Sequence, residues 1–356
     1  MLNHSLEDVL AERFQRRHAL LTGNGTTALH IALEYARVCK GCDSVTFPEM
    51  ICQTAINSAV FSGMQTKFID NDPNSLLANP DYWQVTTQAL KNQCLVVVDL
   101  FGYMHDDAQL CGTGSFGYVV EDAAQAFFSR SPDRHAGTIG SASIVSFGQG
   151  KHIDIGGGGA ILTDDHSLLD FGREFLHSIS SNPFDRSRAR MEHYKQLLQL
   201  EKMGLSREQH IQRWHTIYRE NRRLFLGNFN LEQEADLWSA LTAANESRDA
   251  LREKQQHILA CLASYPVSII PYYEGSVAWR LTFSLDSTPL RNSLLSALES
   301  AGAPVSTLFQ PGSILNSKTV PETFAAKQHS KLINIDLKKV DIKLLEKVMN
   351  SYDWSR

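Results

Sequence analysis

From residue 19 to about 165, short apolar runs alternate with amphipathic or glycine-bearing segments. Parallel strands covered by helices on both faces produce that pattern, because such strands bury both faces while each helix buries one stripe. The runs predict strands at Ala19–Leu21, Val45–Phe47, Thr66–Ile69, Cys94–Leu100, Tyr118–Val120, Ser143–Phe147 and Ala160–Leu162. Leu95, Val96, Val97 and Val98 are apolar at consecutive positions, which puts their strand mid-sheet. Between 166 and 265 the pattern changes to long charged helices, Met191–Met203, Arg207–Phe225 and Glu246–Ala263. After Pro266 come two β-type runs (Val267–Pro271 and Ser276–Phe283), a helix Pro289–Ser300, an extended segment near Pro304–Phe309, and a closing strand and helix within Lys331–Tyr352. The expected fold class is therefore α/β, with a mainly parallel sheet in a large unit of residues 1–165 and part of 166–225. A smaller C-terminal α/β unit of about 226–356 follows. No fixed-period repeat interrupts this reading.

Composition narrows the function classes. The 356 residues, 43% hydrophobic and 21% charged, are ordinary globular material. A formal net charge of -5 argues against a broad nucleic-acid footprint. No apolar stretch reaches the roughly 18 residues a membrane span needs, and Met1–Arg17 is polar rather than leader-like. The cytoplasm is the expected location, where structural disulfides are rare. Cys39 and Cys42 have metal-site spacing, yet no second pair lies near them, and a helix end is the expected reading.

Three segments carry chemistry. Ser146-Phe147-Gly148-Gln149-Gly150-Lys151, followed by Gly156 to Gly159, places a lysine between a strand end and a glycine-rich stretch. Backbone passes close to a ligand there, and a desolvated amine becomes nucleophilic. Glu121-Asp122-Ala123-Ala124-Gln125 follows the strand Tyr118–Val120, so Asp122 points into the crevice where α/β sheets bind ligands. Taken alone, Asp122 equally suits a helix cap. Gly23-Asn24-Gly25-Thr26-Thr27-Ala28 opens a helix after a short strand, a ready phosphate site. The same glycines fit a loose dinucleotide fingerprint, whose acidic partner would end the next strand; there Glu49 follows Pro48 instead.

In this order, Gly25-Thr26-Thr27-Ala28-Leu29, Val120-Glu121-Asp122-Ala123-Ala124-Gln125 and Ser146-Phe147-x-x-x-Lys151 with Gly157-Gly158 resemble the DegT/DnrJ/EryC1/StrS aminotransferases, fold type I enzymes that use pyridoxal 5′-phosphate. The resemblance is strong over 19–165 and loose beyond. It implies that Lys151 bonds covalently to the cofactor as a Schiff base and later shuttles a proton. It also implies that Asp122 holds the pyridine nitrogen and that Gln125 lies by the ring. Gly25, Thr26, Thr27 and Ser146 would bind the phosphate. Gln53 falls where the family stacks an aromatic ring. A homodimer with shared active sites is implied, with a keto-sugar as amino acceptor and glutamate or a similar amino acid as donor.

The chain departs from the family at several points. Only Met1–Thr22 precede the phosphate turn, and Ser187–Met191 echoes only faintly the segment that reaches a partner subunit's phosphate, with Arg188 as its candidate residue. Related sugar dehydratases carry histidine at the lysine position; here lysine occupies it and His152 is a neighbour, which favours transamination. Trp279 and Arg280 lie on a strand of the smaller unit, and Arg280 is a candidate for recognising a carboxylate. Two other readings stay open: a catalytically silent cofactor- or sugar-binding regulator, and an NAD-dependent dehydrogenase.

Overall fold

The computed structural model describes residues 4–84, 90–105, 110, 113–132, 134–180, 186–307, 311–313 and 323–354. Seven strands build the main sheet: β1 (His18–Thr22), β2 (Ser44–Pro48), β3 (Gln65–Ile69), β4 (Leu90–Val98), β5 (Phe116–Asp122), β6 (Ala142–Ser146) and β7 (Gly159–Thr163). Their order is β1-β7-β6-β5-β4-β2-β3. Strands β3, β2, β4, β5 and β6 run parallel, and β7 is antiparallel to both β6 and β1. All seven strands expected from the apolar runs are present. β4 is mid-sheet as expected: Val96 and Val98 join the larger core cluster, whereas Leu95 and Val97 join a second cluster on the opposite face.

Among the described residues, the helices are α1 (Leu6–Arg13), α2 (Gly25–Lys40), α3 (Gln53–Ser62), α4 (Asp81–Gln84), α5 (His166–Ser180), α6 (Arg186–Lys202), α7 (Arg207–Glu220), α8 (Glu234–Thr242), α9 (Ala244–Leu262), α10 (Thr288–Ser300), α11 (Phe324–Gln328) and α12 (Ile342–Ser351). Local chemistry sets the ends of α2. Asn24 caps its start by accepting from the Thr27 amide, and Gly41 stops it in the left-handed conformation, φ 71°. Cys39 lies in its last turn and Cys42 just past it, as the helix-end reading expects.

A second, antiparallel sheet has the order β10-β11-β9-β8, formed by β8 (Ser268–Ile269), β9 (Arg280–Ser284), β10 (Val305–Ser306) and β11 (Leu332–Asp336). Two sequence expectations shift here. The run from Ser276 becomes strand only at Arg280, because the residues before it bond outside the second sheet: the Trp279 amide donates to the carbonyl of Phe101, in the turn after β4, at 2.7 Å. Likewise β4 ends at Val98, because Phe101 turns the chain at φ 57° and Gly102 at φ 93°. A Cβ on Gly102 would strike the Val277 carbonyl, so only glycine permits this approach.

Candidate active site

The carboxyl ends of β5 and β6 and the amino end of α2 open into one cavity. It encloses about 470 Å³ of atom-free space, its solvent-open mouth included. Gly25, Thr26, Asp122, Gln125, Ser146 and Lys151 all line it. Segments far apart along the chain thus line one cavity.

The floor is a backbone cradle. The Gly158 amide donates to the Gly23 carbonyl at 2.9 Å, and the Gly23 amide to the Gly227 carbonyl at 2.7 Å. A Cβ on Gly159 would come within 2.7 Å of the Asn24 carbonyl carbon and the Gly25 nitrogen, so glycine is required for β7 to press against the turn. Above that cradle, the first-turn amides of α2 lack intrahelical acceptors and present the positive end of the helix dipole. The hydroxyl-bearing residues Thr26 and Ser146 stand beside them. This donor set fits a phosphate dianion.

Asp122 is buried, and one of its oxygens accepts from the Ala124 amide at 3.1 Å. Burial raises its pKa; the Ala124 hydrogen bond and the Lys151 charge act against that rise. Burial likewise lowers the pKa of Lys151, while Cys52 and Asp122 oppose the drop and Arg280 reinforces it. The amine forms no hydrogen bond or ion pair among the described residues; its Nζ sits 4.3 Å from the centroid of the Trp279 indole. Burial lowers the pKa of this amine, which suits it to nucleophilic attack, and the charge of the buried Asp122 carboxylate acts on it. Gln125 is oriented by the Phe101 amide, which donates to its Oε1 at 2.9 Å, leaving its amide NH₂ for the cavity. Together, a phosphate cradle, a nucleophilic amine and a buried carboxylate fit pyridoxal 5′-phosphate.

Two expected residues stand elsewhere. Gln53 does not line the cavity: it donates to Asn57 Oδ1 at 3.1 Å, one turn along α3, and Cys52 at the helix start takes the wall position instead. Thr27 is fully buried and does not line the cavity either; its amide and hydroxyl donate to Asn24 Oδ1 at 2.8 and 3.0 Å, and its hydroxyl accepts from the Gly227 amide at 3.1 Å. Its contribution is to brace the turn. Arg188 lies on the exposed side of α6, outside the lining. His152 is buried and stacks on Phe128 at 4.8 Å; burial lowers its pKa to about 3, so it is a neutral packing partner.

Other residues went unmarked in the sequence. Asn24 holds the turn as cap. Lys338, just past β11, donates from Nζ to the Lys151 carbonyl at 2.9 Å, and so ties the second sheet to the lysine turn. The dinucleotide reading fails on topology. β1 and β2 are not neighbours, since β1 lies at the far edge beside β7, and Glu49 is spent accepting from the Ser313 amide at 2.9 Å.

Comparison with known proteins agrees with this geometry. GDP-perosamine synthase of Escherichia coli O157:H7 is 30% identical over 172 residues, covering 46% of this chain and 45% of that protein. The chain spans less than half the length of the curated relatives it matches. A crystal structure of a DegT DnrJ EryC1 StrS aminotransferase from Brucella abortus superposes with a TM-score of 0.72 at 18% identity, covering 97% of this chain and 88% of that one. An E. coli GDP-4-keto-6-deoxy-D-mannose-3-dehydratase with bound hydrated PLP gives 0.72 at 18% identity, over 96% and 90%. Residues 2–299 match the sequence profile of one family, and with three motifs meeting in one cavity the chain belongs to the DegT/DnrJ/EryC1/StrS aminotransferase family.

Proposed function

We propose that the chain binds pyridoxal 5′-phosphate and moves an amino group from an amino acid such as glutamate to a keto-sugar, in a nucleotide-linked form. The observation that carries the reading is the convergence of Lys151, Asp122 and the Gly25–Thr26 helix start on one cavity. The curated relative acting as a GDP-perosamine synthase supports the sugar, and lysine at position 151 supports transfer over dehydration. The cofactor supplies an electron sink for the reacting carbon. Asp122, buried and with one oxygen accepting from the Ala124 amide, would hold the ring nitrogen. Lys151 provides the covalent attachment and carries a proton to and from the substrate carbon. Ser146, Thr26 and the α2 amides hold the phosphate.

Arg280 suits the donor's carboxylate. Its guanidinium lies 4.6 Å from the centroid of the same Trp279 ring that Lys151 overlies, and it donates to the Ser306 hydroxyl. Its buried Nε has no partner among the described residues.

A homodimer is part of the reading. On α6, Met191, Tyr194 and Leu198 are exposed at positions that share one helical face, an apolar stripe suited to a second subunit. No described helix is long and apolar enough to cross a membrane.

The test is spectroscopic. Wild-type protein incubated with cofactor should gain a visible absorbance band that borohydride reduces, with label recovered on the Lys151 peptide. Glutamate should discharge that band, and a keto-sugar nucleotide should restore it. A band that no amino acid discharges would favour the silent regulator, and absence of any band would refute cofactor binding.

A further inference from the structure

The segment that leads into β9 is pinned at three successive residues. The Val277 amide donates to the Ser129 hydroxyl at 2.9 Å, the Ala278 amide to the Gln255 side-chain oxygen at 2.8 Å, and the Trp279 amide to the Phe101 carbonyl at 2.7 Å. These bonds fix the Trp279 side chain, 7% exposed, beside the turn that carries Lys151. A Cβ on Gly150 would meet Cζ2 of the indole at 3.8 Å, so the lysine turn runs along the edge of the ring. Phe101 joins this segment to the cofactor cavity, since its carbonyl receives Trp279 and its amide orients Gln125. It does so at φ 57°, a conformation that is uncommon for a side-chain-bearing residue and clusters at functional sites.

What the ring offers is its face. Buried tryptophans usually place their N–H on an acceptor, yet Trp279 Nε1 is buried with no partner among the described residues. Two cations lie over the ring: Lys151 Nζ at 4.3 Å from its centroid and the Arg280 guanidinium carbon at 4.6 Å. Indole attracts a cation more strongly than the other aromatic side chains do, and the attraction grows as water is excluded. A neutral amine gains nothing comparable, so the contact discriminates between the two protonation states of the lysine.

The other charged and titratable groups around the amine divide. Burial and the Arg280 charge lower the pKa of Lys151, while Cys52 at the start of α3 and Asp122 at the end of β5 oppose them. His152, next in the chain, is buried and neutral, its pKa lowered to about 3. The Lys338 ammonium is bonded to the Lys151 carbonyl, the Asp154 carboxylate is engaged by the Gly150 and Gly156 amides, and the Asp336 charge acts on Arg280.

We infer that Trp279 is a positioning residue of this site: its indole face seats the free Lys151 ammonium, and so decides where the amine waits between covalent attachments. The inference rests on the reading of Lys151 as the attachment point. An ammonium stays on the ring. On losing its proton to water at the open mouth of the cavity, the amine loses that attraction and is free to turn toward the space it also lines. The ring belongs to the segment before the second sheet and the lysine to a turn after β6, so the packing of the two sheets governs when the amine is released.

The experiment places singly, doubly and triply fluorinated tryptophan at position 279 by nonsense suppression, in the full chain freed of cofactor with hydroxylamine. Fluorine drains negative charge from the ring face and keeps the shape of the side chain. Acylation of Lys151 by acetic anhydride, read by mass spectrometry across pH, gives the midpoint at which the amine loses its proton. That midpoint should step to lower pH with each added fluorine. Trp279→Leu, which removes the face, should raise acylation below the midpoint about 10-fold, and Trp279→Phe should restore most of the wild-type profile. Looser packing in a variant would scale acylation at every pH without moving the midpoint. A midpoint that ignores the fluorines, or moves to higher pH, overturns the inference. Borohydride labelling of the cofactor-loaded wild type separates the two readings. A Lys151 that takes the label while its midpoint ignores the fluorines overturns the seat alone, whereas a Lys151 that takes no label overturns the attachment reading and the seat with it.

Discussion

Glu121 offers the sharpest test of the electrostatics beneath the site. It is fully buried on the sheet face opposite Asp122, and burial first, then repulsion from the equally buried Asp99, raises its pKa from 4.5 to about 8, with Arg134 only partly opposing. Asp99 is lifted in turn from 3.8 to about 6, chiefly by burial. A carboxyl whose folded pKa exceeds its unfolded value binds more protons when folded. It therefore leaves stability intact below the unfolded pKa and erodes it as pH rises toward the folded one. From pH 4.5 to pH 7 the Glu121 shift corresponds, at about 1.4 kcal/mol per unit, to a loss on the order of 3 kcal/mol. Glu121→Gln mimics the protonated form: the amide oxygen still accepts from Ile139, now at 2.8 Å, and the NH₂ can donate to Asp99. The variant should match the wild type near pH 4 and exceed it by about 1 to 3 kcal/mol at pH 8. Urea unfolding followed by the fluorescence of the five tryptophans at several pH values measures this. If the two proteins keep a constant gap across pH 4 to 8, or if the variant is the weaker at pH 8, the carboxyl is ionised in the fold and the reasoning is wrong.

Three other outcomes follow from the cavity. Gly159→Ala drives a methyl within 2.7 Å of the Asn24–Gly25 backbone; it should cost about 1 to 3 kcal/mol of stability and weaken cofactor affinity about 10-fold or more by displacing the phosphate turn, as read by cofactor titration. Asp122→Asn keeps an acceptor for the Ala124 amide but removes the charge, so the protein should still load cofactor while single-turnover amino transfer falls about 100-fold or more. Lys338→Met releases the Lys151 carbonyl; amide exchange across residues 150–153 should quicken and kcat should fall a few-fold, and unchanged exchange would remove Lys338 from any positioning role.

Much of this molecule is local in origin. The apolar runs place all seven strands of the main sheet, since strands such as β2, β6 and β7 are buried along their whole length and select mostly apolar residues whatever their neighbours are. Glycine and lysine spacing marks Lys151, Asp122 and the Gly25–Thr26 turn, because close backbone approach and a strand-end carboxylate leave traces within a few residues. That Gln53 turns to Asn57 and Thr27 to Asn24 is not written locally, because helix phase and cap geometry decide which side of a helix start faces the cavity. Beyond the interior place of β4, strand order was not legible. That β1 pairs with β7 rather than β2 separates this fold from a dinucleotide-binding one, and the pairing depends on contacts between residues about 140 apart in sequence. The same holds for Trp279 under Lys151 and for Lys338 on the lysine turn. Sequence settles which segments become strands and which residues carry chemistry; which distant charges share a cavity is decided by chain packing, where no local pattern records the neighbour.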